Sequence, residues 1–408
     1  MKSNYRVEPL SNYITQIRGI SYKPTDISEE EIENYKVVLR ANSIQDNKLV
    51  LNDLIYVKDS LIKEIQIIKE NDILMAASSG SKEIVGKTVQ ITKDMNCSFG
   101  AFCKLIRCKD NINPRYVGYF FRTPYYRTTI SSIVCGANIN NIKNEHIDNL
   151  LLPVVDKGNQ QKIVEILDKA QELIDKRKEQ IEALDELIKS QFIQMFGDPI
   201  NNPMGWEVKK LKNISTKILS GNTPKGGSEV YVDDGIMFFR SQNVWKNKLI
   251  LDDIAYIDEK THQKMMKSSL KHRDILITKT GRINTENSSL GRAALYLGED
   301  DKANINGHVY LIRLKEEILN EFVLFILTSK EYRGYIRSVC VGGIDKRQLN
   351  KEHIEDFPII FPPEEEQKKF VSYVKQINKL KFEMEKSLKE LENNFNSLIQ
   401  KAFKGELF

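Results

Sequence analysis

The chain contains itself twice. Moving 207 positions along from Gly136, Glu145, His146, Gln160 and Phe196 lands on Gly343, Glu352, His353, Gln367 and Phe403, with no gap. Tyr125 and Tyr332, Ser131 and Ser338, Ile147 and Ile354, Lys162 and Lys369, Val164 and Val371, and Ser190 and Ser397 keep the same offset. A second copy of a domain-plus-helix unit therefore runs in register with the first from about Gly100 to the last residue. Repetition of a whole domain implies a pseudo-two-fold architecture. Two similar but unequal heads suit a target that itself has two unequal parts.

With 408 residues, the chain has room for two or more domains, each with its own core. A net charge of +5 permits a nucleic-acid partner without demanding one, because clustering matters more than the total. The opening MKSNYRVEPL has no apolar stretch of the kind a signal peptide needs. The longest apolar runs, 322–327 and 357–361, are far too short to span a bilayer, so no membrane association is expected. Five cysteines without a C-x-x-C pair fit reduced thiols in a cytoplasmic protein. Cys97, Cys103 and Cys108 lack zinc-ligand spacing and read as buried thiols, with zinc the weaker alternative.

Each half opens with short strand-like runs: 36–39, 49–51, 54–57 and 72–75, then 237–239, 249–251, 254–257 and 274–277. Here the pairs Arg40/Arg240, Asn47/Asn247, Lys48/Lys248, Leu49/Leu249, Asp53/Asp253 and Tyr56/Tyr256 share an offset of 200. The halves thus differ by small insertions before residue 100, where loops vary freely. One helical stretch follows in each half, 115–131 and 321–338. Then comes a long amphipathic helix. In the first, Ile163, Leu167, Ala170, Ile174, Arg177, Ile181, Leu184, Ile188, Gln191 and Met195 alternate at spacings of four and three. In the second the series is Phe370, Val374, Ile377, Lys381, Met384, Leu388, Leu391, Phe395, Leu398 and Ala402. That alternation makes one narrow apolar stripe, as in a coiled-coil seam, interrupted by Arg177 and Lys381.

The predicted fold is α+β: two pseudo-symmetric mixed α/β domains separated by two long antiparallel coiled-coil helices. The boundaries are 1–152 for the first domain, 153–198 for its helix, 199–357 for the second domain and 358–408 for its helix. The competing arrangement packs each helix on its own domain.

Chemistry is scarce. An adenine methyltransferase of the known families carries a D/N-P-P-Y/F tetrad; the nearest string, Asn202-Pro203-Met204-Gly205, lacks the second proline and the aromatic residue. Gly80 to Gly86-Lys87-Thr88 resembles a phosphate-binding loop, but five residues separate the glycines where the cradle needs four. His146 and His353 sit in N-E-H-I and K-E-H-I turns without a partner base, which suits a structural or capping role. There are no paired carboxylates at metal spacing, no G-x-S-x-G and no H-E-x-x-H. The chain reads as a recognition protein.

The loops offer hydrogen-bonding side chains with positive charge nearby. In the first half these are Arg40, Asn42 and Ser43; Ser78, Ser79, Ser81 and Lys82; and Asn138, Asn140 and Asn141. Their counterparts are Arg240, Gln242 and Asn243; Lys279, Thr280 and Arg282; and Lys346 and Arg347. Arg and Lys match guanine edges, Asn and Gln match adenine edges, and Ser, Thr and Lys suit phosphate oxygens. Taken singly, each loop reads as a solvated turn. Recurrence in both halves, flanked by strand-like runs, points to a shared binding surface.

In this order the motifs resemble the specificity subunit of type I restriction–modification systems, over essentially all 408 residues. The first domain carries Leu39-Arg-Ala-Asn-Ser-Ile44, Ser78-Ser-Gly-Ser81, Val85-Gly-Lys87, Phe99-Gly-Ala-Phe102 and Gly136-Ala-Asn-Ile-Asn-Asn141. The second carries Ser220-Gly-Asn-Thr-Pro224, Asp274-Ile-Leu-Ile-Thr278, Leu290-Gly-Arg292, Phe361-Pro-Pro-Glu364 and Lys401-Ala-Phe-Lys-Gly-Glu-Leu407. Two departures stand out: Leu152-Pro-Val-Val-Asp156 replaces the double proline, and the second half lacks the Asn-rich loop.

The resemblance implies two target-recognition domains, each reading one half of a bipartite site in double-stranded DNA, with the helix pair setting the gap. It adds Lys87, Thr223 and Lys225 to the candidate DNA contacts. It implies no cofactor in this chain. S-adenosylmethionine, ATP and Mg belong to its partners, two methyltransferase subunits and the restriction/translocase subunits. The rival readings are a coiled-coil scaffold joining two protein-binding heads, and a methyltransferase with an unrecognised active site.

Overall fold

Strand-forming runs broken by Gly and Asn turns build the same plan twice. The computed structural model describes residues 3–80, 83–136, 141–283, 285 and 287–407. Two units emerge: Met1–Glu179 with Met384–Phe408, and Gln180–Glu383.

The first unit holds two four-stranded sheets. One orders Ile14–Arg18, Cys103–Cys108, Ile73–Ala76 and Thr88–Gln90, antiparallel throughout. The other orders Ser98–Phe99, Tyr35–Leu39, Ile55–Lys58 and Ile27–Ser28, with the first pair parallel. The second unit repeats both. Its antiparallel sheet is Ser215–Ser220, Val309–Leu314, Ile275–Thr278 and Ala293–Leu295. Its mixed sheet is Tyr231–Val232, Ala255–Ile257, Ile236–Phe239 and Ala303–Ile305, with the last pair parallel. Ile73–Ala76 and Ile275–Thr278 are buried along their whole length, so they read as continuous apolar runs. The second unit adds a ribbon of Thr280–Arg282, Lys346–Gln348 and Val341–Gly342.

The single helical stretch expected in each half is two helices. Pro114–Phe120 ends and Pro124–Gly136 begins at Thr123, whose hydroxyl donates to the Phe120 carbonyl and accepts from Tyr126 N–H. Asn320–Thr328 gives way to Lys330–Val339 at Ser329, which caps Tyr332 N–H. Each hydroxyl satisfies a donor that a helix start leaves orphaned.

The long helices span Lys157–Phe196 and Glu364–Lys404. Both start later than expected, which corrects the boundaries at 153 and 358. Leu151–Val154 is a strand paired with Arg6–Pro9, and Pro358–Ile360 pairs with Val208–Lys210. The residues before each helix are thus held in a ladder. Within each unit the helix segments run antiparallel. In the first, Lys178 pairs with Glu392 at 3.0 Å, while Phe403 packs on Tyr116, whose hydroxyl donates to the Pro153 carbonyl just ahead of the other helix. In the second, Lys381 reaches both oxygens of Asp185 at 2.7 Å, and Phe192 meets Phe370.

The predicted seam holds at Ile163, Leu167, Ile174, Leu184 and Ile188, all buried, and fails in the last two turns of the first helix. There Phe192 and Phe196 are buried in place of Gln191 and Met195; both meet Phe370 edge-on, Phe196 meets Phe322 edge-on and Phe192 packs on Phe322 at a tilt. Steps of four from Leu184 give the wider stripe of a helix that packs on a domain as well as on a partner helix. Among the described residues, no helix is long and apolar enough to cross a membrane.

Candidate nucleic-acid interface

Sheet pairing gathers the loops. In the second unit, Ser215–Ser220 and Ile275–Thr278 end, and Val309–Leu314 begins, at one sheet edge. The parallel pair Ile236–Phe239 and Ala303–Ile305 ends there too, where Asn306 N–H donates to the Phe239 carbonyl. The edge is stitched by Gly221 N–H to the Val309 carbonyl, Lys279 N–H to the His308 carbonyl (2.8 Å) and Leu349 N–H to the Lys279 carbonyl (2.9 Å). Thr223 lies beside Gly307, and both Thr223 and Lys225 are exposed. Four stretches far apart in sequence thus share one rim: 221–225, 240–243, 279–282 and 306–308. The basic ribbon of Lys346 and Arg347 joins them.

The first unit makes the same rim. Ile20 N–H donates to the Phe99 carbonyl, Gly100 N–H to the Leu39 carbonyl, and Ala77 and Ser78 N–H both to the Phe102 carbonyl. Ser78 also bridges to the exposed Asn141. Ser79 flanks Ser78 on the same loop. Of the remaining candidates, Ser81, Lys82, Asn138 and Asn140 lie outside the described residues.

The Arg40 and Arg240 loops are built around an aspartate. Arg40 Nη2 donates to the Asp53 carbonyl and carboxylate, both at 2.7 Å, and Asn42 Nδ2 reaches the same carboxylate at 3.1 Å. Arg240 repeats the ion pair with Asp253 at 3.1 Å, and Gln242 Nε2 donates to that carboxylate at 3.1 Å. The Gln242 hydrogen bond and the Arg240 guanidinium hold the Asp253 carboxyl below its ordinary pKa. Ser43 and Asn243, expected on the binding face, are instead buried. Ser43 Oγ accepts from Arg40 N–H, and Asn243 Oδ1 from Arg240 N–H. A short 3-10 turn leaves these backbone donors to be satisfied locally, and a Ser or Asn three residues on can do it.

Lys87 departs from the cluster as well. Its side chain lines a cavity of about 950 Å³ with Lys48, Arg115, Arg122, Arg127 and Lys178. The corresponding Arg292 stacks 3.7 Å above the Trp245 ring. On the ribbon, Lys346 is exposed, Arg282 pairs with Asp345 at 3.3 Å, and Arg347 Nε donates to the Gly343 carbonyl. Lys279 and Thr280 are half-buried where the ribbon leaves the sheet, with Lys279 Nζ 5.9 Å from the Tyr310 ring centre.

Other groups take structural roles. His146 and His353 accept the backbone N–H of Lys143 and Asn350 through Nδ1, capping short helices. Burial pushes the thiols of Cys97, Cys103 and Cys108 up to about 12, so they are not thiolate nucleophiles near neutral pH. Among the described residues, no three His, Cys, Asp or Glu side chains gather to hold a metal. Sequence reasoning passed over the exposed rings of Phe102 and His308 on this rim. It matched Asp53 to Asp253 without seeing that they organise the loops.

A family model described as the type I restriction modification DNA specificity domain matches twice, at residues 14–184 and 203–393. The chain belongs to that family. Among its relatives, the StySPI type I restriction enzyme specificity subunit of Salmonella potsdam is 29% identical, covering 100% of this chain and 90% of the relative. The EcoKI specificity subunit of Escherichia coli K12 is 28% identical, covering 98% and 89%. Two solved structures share the fold. One, from work on complex assembly and conformational transition of the type I R-M system, has a TM-score of 0.56 at 17% identity, covering 99% of this chain and all of that one. The other, the S subunit from M. genitalium, has a TM-score of 0.50 at 16% identity, covering 98% and 96%. As a type I specificity-domain protein with two such domains, the chain fits DNA recognition and not the scaffold reading.

Proposed function

We propose that this chain is the DNA sequence-recognition subunit of a type I restriction–modification complex, each unit reading one half of a bipartite site. The observation that carries this is the convergence, at the same sheet edge of both units, of loops bearing Arg40, Asn42, Ser78 and Asn141 in one and Thr223, Gln242, Lys279, Thr280, Arg282, Lys346 and Arg347 in the other. Exposed cations such as Lys225 and Lys346 suit phosphates and fix register. Amide side chains suit base edges, and unequal loops in the two units suit unequal half-sites. The long helices set the gap and dock two methyltransferase subunits. Those subunits use S-adenosylmethionine and extrude the target adenine, because its amino group is unreachable within the stack. Restriction/translocase subunits bring ATP and Mg. This chain itself performs no catalysis and works in the cytoplasm.

A methylated-adenine map of the source cells, with and without this chain, supplies the motif: one split sequence with a fixed gap should vanish. On that duplex, Lys346→Ala should weaken binding roughly 5- to 10-fold at about 0.1 M salt. It should also reduce the slope of log K against log salt by about 0.9, the effect of one lost phosphate contact. No specific duplex affinity at any salt concentration would return the reading to a scaffold.

The helix role has its own test. Four residues inserted after Ala183 add about one turn, roughly 5.4 Å. The remapped motif should keep both halves and change its gap. Altered halves with an unchanged gap would defeat this assignment.

A further inference from the structure

We propose that Phe102 is an apolar wedge that enters the base stack of the half-site read by the first unit. This rests on the assignment of that rim as the DNA face. The Phe102 ring is 70% exposed, against 0% for Phe99 three residues earlier. Its backbone is fixed nonetheless. The Phe102 carbonyl accepts from Ala77 N–H at 2.9 Å and from Ser78 N–H at 3.0 Å, and Cys103 N–H closes the turn onto Gly100 at 2.8 Å. A large side chain held out on a pinned turn loses little backbone freedom when a partner covers it.

The surroundings identify the partner. A protein-docking anchor sits inside an apolar patch, ringed by contacts that exclude water. Among the described residues, the loops tied to the Phe102 turn are polar ones: Ser78 N–H donates to its carbonyl, and Gly100 N–H donates to the Leu39 carbonyl at the start of the Arg40 turn. A single apolar side chain flanked by hydrogen-bonding groups is how minor-groove and kinking proteins part a base step. The register supplies a contrast. Cys103 pairs with Ala76 as Val309 pairs with Thr278, so His308 occupies the matching position in the second unit. His308 is also exposed, but it is polar and suited to a base edge. At this position, unstacking therefore belongs to the first unit.

The test uses the full chain assembled with its modification subunits and a duplex carrying the mapped motif. 2-Aminopurine is placed in turn at each half-site position other than the methylated adenines. Wild type should raise the fluorescence at one step of one half-site. Phe102→Ala should abolish that rise and cut affinity roughly 5- to 150-fold, the range for a lost base–aromatic contact, with the salt slope unchanged. Phe102→Trp should keep the rise, and all forms should melt alike because the ring is exposed. Phe102→Ala binding within about twofold of wild type, a rise that persists without the ring, or a loss with a shallower salt slope would each overturn the wedge. Wild type failing to bind the motif at all would overturn the DNA reading beneath it, a result separable from the others.

Discussion

Gly221→Ala is expected to lower the melting midpoint of the second unit by roughly 6–12 °C. Gly221 ends the strand Ser215–Ser220 and lies so close to the neighbouring turn that an added Cβ would sit 2.1 Å from the Ile305 carbonyl oxygen and 2.5 Å from that of Asn306. Both obstacles are backbone, so no side-chain rotation relieves them. The strand end and the 306–308 turn must separate, at about 3 kcal/mol. In a unit of about 200 residues each kcal/mol moves the midpoint by about 2–4 °C. Gly19→Ala should do the same in the first unit, where the Cβ would meet the Gly100 carbonyl oxygen at 2.1 Å. Both glycines stand on the proposed DNA face, so affinity should fall along with stability. Gly334 provides the control: it lies mid-helix with open space around it, and alanine there should be neutral or stabilising by up to about 1 kcal/mol. Calorimetry finding Gly221→Ala within 2 °C of wild type would show that the close approach is not required.

The repeat was legible because the second part of each half contains no insertion, so identities align by number alone. The offset of 207 sets in later than about Gly100: strand pairing matches Cys103 with Val309 and Ile106 with Ile312, an offset of 206, so the equivalence of Phe102 with His308 appears only from the structure. Leu49 and Leu51 look alike in sequence. Yet only Lys48–Leu49 is strand, paired to Ile44–Gln45 across a tight turn with positive φ at Asp46 and Asn47, and Leu51 is exposed. The helix breaks at Thr123 and Ser329 left a usable signal, a hydroxyl residue three positions before a capped N–H, which the apolar spacing masked. The change of seam at Phe192 and Phe196 left none. A heptad pattern records a helix partner, and here the helix end also faces a domain.

The candidate site was legible in composition and not in geometry. Arg, Asn, Ser and Lys loops can be picked from a sequence, but their meeting at one rim is created by ladders between residues 27 to 99 positions apart. Which loop residues face outward is equally hidden. Ser43 and Asn42 are neighbours of similar chemistry, and the turn buries the first while the second reaches Asp53 at the surface. Phe99 and Phe102 are the same residue type, and the last strand residue is buried while the turn residue is not.

Asp274→Ala is expected to destabilise the second unit by about 3 kcal/mol while leaving DNA specificity intact. Asp274 is 2% exposed and takes two hydrogen bonds from Arg313, at 2.9 and 2.7 Å, and a third from Lys271 N–H. The first unit repeats the arrangement: Asp72 with Arg107 at 2.8 and 2.7 Å and Lys69 N–H at 2.8 Å. These hydrogen bonds raise the pKa of both guanidiniums, so the arginines stay charged at any working pH. Truncating the carboxylate leaves that charge without its partner, which costs about 3–5 kcal/mol when both groups are buried. The arginine side chains keep 22–25% exposure and can recruit water, which favours the lower end. Asp274→Leu with Arg313→Met should recover much of the loss, since an apolar pair leaves no stranded charge. Both aspartates precede their strands at the end opposite the loop rim, so the damage is to the frame and not to the reading surface. Chemical denaturation should register the loss, and the methylation map of the folded fraction should be unchanged. A shifted motif with unaltered stability would mean that the ion pair orients the loops, and the separation of frame from reading surface would have to be abandoned.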